Sequence, residues 1–164
     1  MPNQVTSMKA IATVLMSGAL LAFSAQVTSQ PMRAKPEDVC AGLSSIKSIP
    51  LNEAWPIDDE NYKTLKEKRK QTTPCLIDRI TDGTSMKDPR SEPTKVDGFV
   101  AGDLAFFLLS DFNVVSFEGV LPQEVRSELP SKGVIAYFDW VHKPGNREKL
   151  QAAAKEWVRI HPIK

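Results

Sequence analysis

The chain has 164 residues, with 21 Lys and Arg against 20 Asp and Glu, a net charge of +1. That balance excludes a general binder of nucleic acid or of anionic membranes, because either needs a cationic excess over a whole face. Lys9 is the one charged side chain in the first 29 positions, so the remainder carries 20 cations and 20 anions.

In chain order, residues 1–25 read first, as a secretory signal. A polar start with Lys9 precedes an apolar run from Ile11 to Phe23. The run is shorter than the roughly 20 residues a spanning helix needs. Ser24 with Ala22 before it suits a signal peptidase. So does Ser29 with Val27 before it, which puts cleavage as late as 29. No cysteine follows the run directly, so no lipoprotein anchor is expected. The protein is therefore expected in the periplasm or secreted. The mature chain lacks an Asn-x-Ser/Thr sequon, which points to a bacterial envelope rather than to eukaryotic secretion. The apolar stretch from Phe99 to Leu121 is interrupted by Asp103, Asp111 and Glu118, which are costly in lipid. No stable membrane insertion is expected once the signal is removed.

Pro36 to Ile46 reads as a short helix, with Val39, Leu43 and Ile46 at helical spacing and Cys40 aboard. Cys40 and Cys75 are the only cysteines. An even count in an exported chain favours a disulfide. Closing that loop removes about 3.8 kcal/mol of unfolded-state freedom on the chain-entropy model. Two other readings stay open. Cys75 follows Pro74 near a predicted helix start, where amide donors favour a reactive thiolate. A metal pair is the third, without histidine support.

Asp58 or Asp59 caps a helix that runs to about Lys70, with a narrow buried stripe of Tyr62 and Leu65. Thr73 and Pro74 open the next, with Pro where its lacking N–H matters least. Leu76, Ile77 and Ile80 form its stripe, and Asp82-Gly83 stops it. Thr84 to Asp97 carries Pro89 and Pro93 and reads as a long loop of the kind that is often functional or mobile. Val100 to Phe112 is the most apolar segment, a central helix buried on more than one face, with a buried strand as the competitor. Ser116 caps a turn, Pro122 begins a helix to Leu129, and Val134 to Val141 forms another. Asn146 caps the last helix, to about Arg159. The expectation is an all-α fold, a compact multi-helix domain spanning 36–161 behind a cleaved signal peptide.

The stretch from Pro74 to Asp82 resembles the first helix of a HEAT repeat, and Asp88-Pro89-Arg90 is similar to the aspartate and arginine of its turn. The helix from Gly102 to Leu109 would be the second helix, so the resemblance spans Pro74 to Leu109. It implies a helical hairpin that offers a surface to protein partners. In size and compartment the chain also resembles small exported bacterial immunity proteins, which block cell-wall-cutting toxins delivered by neighbouring cells.

Catalytic patterns are sparse. His142 and His161 sit at predicted helix ends and have no Cys or Glu at ligand spacing, so no metal or cofactor is expected. Asp103 and Asp139 lie among apolar residues and are both expected to be partly buried. Buried carboxylates must be paired or protonated. Arg79, Arg90 and Arg147 are the candidate partners, and of these Arg90 is expected to bond Asp103 and pin the long loop to the central helix. The competing use of Asp103 or Asp139 is acid–base work on a glycan.

A basic run, Lys63, Lys66, Lys68, Arg69 and Lys70, could meet lipid phosphates, acidic wall polymers or an acidic protein; a solvated helix face competes with these. Trp55 sits in a Pro-flanked loop as a partner anchor, against packing over the second helix. The binding surface is therefore sought at Trp55, Lys66, Arg69, Lys70 and Met86. The functional expectation is an exported, non-enzymatic protein-binding module, in its concrete form an immunity-type inhibitor of a periplasm-acting toxin. The alternatives are a cell-wall-directed hydrolase and a purely structural envelope protein.

Overall fold

A computed structural model describes residues 40–50, 58–91 and 95–163, all within one unit that spans 36–164. The signal segment, residues 36–39 of the first predicted helix and Trp55 lie outside the described residues. The described part is all-α, as expected. Its helices are α1 (Glu60–Glu67), α2 (Arg69–Arg79), α3 (Ala101–Asp111), α4 (Gln123–Lys132), α5 (Ile135–Val141) and α6 (Asn146–Ile160). The only extended pairing among the described residues is an isolated bridge between Ser85 and Val100. None of the described helices is long and apolar enough to cross a membrane.

Helix ends explain why the chain breaks where it does. Asp59 caps α1, accepting from the backbone N–H groups of Asn61 and Tyr62 at 3.0 and 3.1 Å. The same carboxylate takes the Lys47 N–H at 2.7 Å and so ties the preceding loop to the helix start. Burial pushes the Asp59 carboxyl up, but these backbone donors outweigh it and hold it below its ordinary value. The described part of the first predicted helix is only a 3-10 turn, Leu43–Ser45.

The boundary between α1 and α2 differs from expectation. Lys68 leaves helical geometry, and α2 starts at Arg69 rather than at Thr73. Pro74 is consequently inside the helix. Its lacking N–H costs one intrahelical bond, and hydroxyls beside it bond other carbonyls of the preceding turns. Thr72 donates to Leu65 O at 3.2 Å and Thr73 to Arg69 O at 2.6 Å.

Helix α3 is the hub, with Leu104, Ala105, Phe106, Leu108 and Leu109 all fully buried. Its start lies against the end of α2. A Cβ on Gly102 would stand 2.2 Å from Ile80 O, so only glycine admits this approach. Gly102→Ala is expected to lower stability by about 1–3 kcal/mol, read by urea unfolding. Phe106, Phe107, Phe117, Tyr137 and Phe138 form a continuous aromatic cluster, with Phe106 at 5.3 Å from both Phe117 and Tyr137. Asn146 does not cap α6 with its side chain. Gly145 takes that position at φ 79°, and Asn146 turns inward to donate to Trp140 O at 2.8 Å.

Cys40 and Cys75 form the disulfide, with Cα atoms 6.3 Å apart. It fastens the first described turn to α2. Replacing both by serine is expected to remove about 2–4 kcal/mol of stability without changing helix content. Matched urea curves and far-ultraviolet circular dichroism check both parts.

Candidate functional site

The structure re-pairs the charged residues singled out in the sequence. Arg90 is 1% exposed and bonds Asp88, not Asp103. Its Nη2 donates to Asp88 Oδ2 at 2.6 Å, its Nε to Oδ1 at 3.0 Å and its backbone N–H to Oδ1 at 2.9 Å. The guanidinium carbon lies 4.8–5.5 Å from the ring centres of Phe138, Phe107 and Phe99. Asp88 also accepts the Val96 N–H at 3.0 Å, closing the neck of the long loop. The expected Arg90–Asp103 bond fails because a carboxylate two positions away is reached with little ordering of chain. The loop does dock on α3, through cation–π contact with Phe107 rather than through Asp103.

Asp103 is wholly buried and fully engaged. It accepts from Arg147 Nη2 at 2.8 Å, Tyr137 Oη at 2.9 Å and the Val100 N–H at 3.0 Å. Asp139 corrects the expectation of burial. Its side chain is 54% exposed, 3.4 Å from Lys132 on the surface. The reason is periodicity: Asp139 falls on the outer face of α5 while Phe138 and Trp140 turn inward. The two carboxylates therefore do not face one another across a cleft, one being sealed inside and the other on the outside.

An open groove of about 620 Å³ draws together part of the predicted surface. Lys66 and Arg69 stand on one wall, from the ends of α1 and α2. Phe112, Val114 and Val115 form the floor, and Trp157, His161 and Ile163 the opposite wall. The floor is positioned by the end of α3. Asn113 adopts φ 55°, and the N–H groups of Asn113 and Val114 return to Ser110 O and Leu109 O at 3.0 and 2.9 Å. That is a Schellman stop, with asparagine in the left-handed place usually held by glycine. It directs Val114 and Val115 back under the bundle. The Trp157 ring stacks on His161 at 4.2 Å, and its other side meets Gly119, where a Cβ would stand 2.4 Å away.

Charge in the groove is one-sided. No Asp or Glu lines it among the described residues. Lys66 reaches Asp111 at 3.8 Å and Tyr62 Oη at 3.0 Å, and Tyr62 donates a short hydrogen bond to Asp111. Burial, together with that carboxylate, holds the Tyr62 phenol well above the ordinary tyrosine range, so it stays neutral. The Arg69 guanidinium has no counter-ion among the described residues. Lys70 is exposed but not in the groove. Met86 is half-buried and lines separate cavities beside Lys87 and Asp88, so the predicted surface does not gather in one place.

The chain matches no protein-family model, no curated protein and no solved structure. The site therefore rests on its own geometry. Sequence reasoning did not find Asn113, Trp157 or His161 as parts of it. The available signal was an asparagine directly after an apolar helix, which is a marker of a left-handed stop.

Proposed function

We propose that the chain is an exported, non-enzymatic protein-binding module of the bacterial envelope, acting as an immunity-type inhibitor of a periplasm-acting toxin. The observation that carries this reading is the groove: an apolar floor beside Lys66 and Arg69, the latter without a counter-ion among the described residues, on a small domain closed by a disulfide. Such a surface suits capture of a macromolecular partner, with aromatic and arginine groups as anchors. The carboxylates that a hydrolase would need are engaged elsewhere, Asp103 inside the core and Asp139 on the outer face of α5.

The test is a deletion strain grown in contact with its parent. The expected result is lysis of the deletion strain and rescue by a plasmid copy. The rescuing protein is expected in the periplasmic fraction, shortened at residue 25 to 29. Equal survival of both strains overturns the immunity role. A full-length cytosolic product with titratable thiols overturns export.

A further inference from the structure

We infer that the Lys66–Arg69–Trp157 groove binds an acidic segment of a protein partner, with one apolar side chain of that segment seated on the Val114–Val115 floor. This inference rests on the proposed binding-module reading and names the chemistry of its partner. Three observations lead to it. First, Lys66, Arg69 and His161 line the groove with no carboxylate among the lining residues, and Arg69 lacks a counter-ion among the described residues. An uncompensated guanidinium beside an apolar floor favours a carboxylate-bearing ligand, which it holds by paired hydrogen bonds.

Second, the floor and far wall are apolar: Val114 and Val115 cover the base, and the half-buried Trp157 presents an indole. Apolar contact at the centre with charge at the rim is the anatomy of a protein interface rather than of a phosphate site. Third, the site is pre-organised. The Schellman stop fixes the floor, and Trp157 is wedged between Gly119 and His161. Binding then loses little side-chain freedom at the receptor. Lys68 and Lys70, both exposed beside Arg69, extend the cationic field and favour encounter with an acidic partner.

The probe is a fluorescein-labelled synthetic peptide in which Asp and Glu flank a Leu-Phe pair, followed by anisotropy. Its counterpart carries Lys in place of each acid. The acidic peptide is expected to bind and the basic one not to bind. Affinity is expected to fall with rising salt, and Arg69→Glu to weaken it at least about tenfold. Arg126→Glu, an exposed change on α4, is expected to leave binding unchanged. Circular dichroism confirms that both variants keep their helix content. Equal binding of the two peptides, an Arg69→Glu variant that binds as wild type, or an equal loss in Arg126→Glu each overturns the inference. So does binding to phosphatidylglycerol vesicles that Arg69→Glu abolishes while the peptide stays unbound. A second arm passes envelope extract over immobilised wild type and Arg69→Glu. A partner held equally by both overturns the groove and leaves the binding-module reading standing. A deletion strain that survives its parent, with peptide binding intact and sensitive to Arg69→Glu, overturns the immunity role and leaves the groove standing.

Discussion

Arg90→Met is expected to destabilise the domain by about 3–5 kcal/mol, because it strands the Asp88 carboxylate inside the protein. Asp88 is 7% exposed and Arg90 1%. Without the guanidinium, Asp88 keeps, among the described residues, the backbone N–H groups of residue 90 and Val96. For a domain of this size the loss corresponds to a fall in Tm of about 12–20 °C. Arg90→Lys is not expected to rescue it. An ammonium cannot make the forked contact to Asp88 while lying flat among Phe99, Phe107 and Phe138. The buried Nη1 atom already has no hydrogen-bond partner among the described residues, so the pair is held by geometry on one side and by rings on the other. The double change Asp88→Asn with Arg90→Met removes both charges and is expected to be more stable than Arg90→Met alone. Urea unfolding of wild type, Asp88→Asn, Arg90→Met and the double variant closes the cycle. A double variant no more stable than Arg90→Met would show that packing, not charge, dominates.

The same pair sets an acid limit. Burial pushes the Asp88 carboxyl up, but bonds from the Arg90 side chain and from the N–H groups of Arg90 and Val96 outweigh it and hold it below its ordinary value. With the folded-state value depressed, its contribution is present above the unfolded-state value of about 3.9. It is lost as pH falls through the folded-state value. Wild type is therefore expected to lose stability more steeply below about pH 4 than the double variant. Thermal melts between neutral and strongly acid pH read the difference.

Asp103→Ala is the second large effect, also about 3–5 kcal/mol. Asp103 has no solvent exposure and joins three elements: α3 through the Val100 N–H, α5 through Tyr137 and α6 through Arg147. Arg147 also donates to Ile80 O at 3.4 Å and neighbours the Tyr137 hydroxyl, so losing the carboxylate leaves a cation beside the Gly102 crossing without its counter-charge. Tyr137→Phe removes one hydrogen bond and is expected to cost about 1 kcal/mol. The two changes share a partner, so the double variant is expected to cost less than the separate effects together. Strict additivity would mean that Tyr137 and Asp103 act independently. Burial, with the Asp103 charge next to it, pushes the Tyr137 phenol well above the ordinary value. The unfolded chain then releases this proton first. Its contribution is intact below about pH 10 and declines as pH rises beyond that. Tyr137→Phe is expected to be less sensitive to alkali than wild type, as melts at rising pH will show.

Legibility in the sequence followed range. The cap at Asp59, the central apolar helix and the cysteine pair each depend on spacing or composition within reach of one inspection. The structure agrees with each of them. Pro74 misled because a proline suits a first helical position but also occurs inside a helix, where its lacking N–H costs one intrahelical bond. Lys66 and Arg69 were visible as part of a charge run. The groove was not, since its walls come from positions as far apart as Lys66 and Ile163.

Taken alone, the order of residues determined that the described chain is a set of short helices around Ala101–Asp111, because helix period and end signals are local properties. Only the tertiary structure decided which carboxylate holds Arg90, which face of α5 carries Asp139 and which cations share a wall with Trp157. The physical reason is that a side chain's partner is set by which elements meet, and a guanidinium long enough to reach several carboxylates takes the one that packing brings beside it.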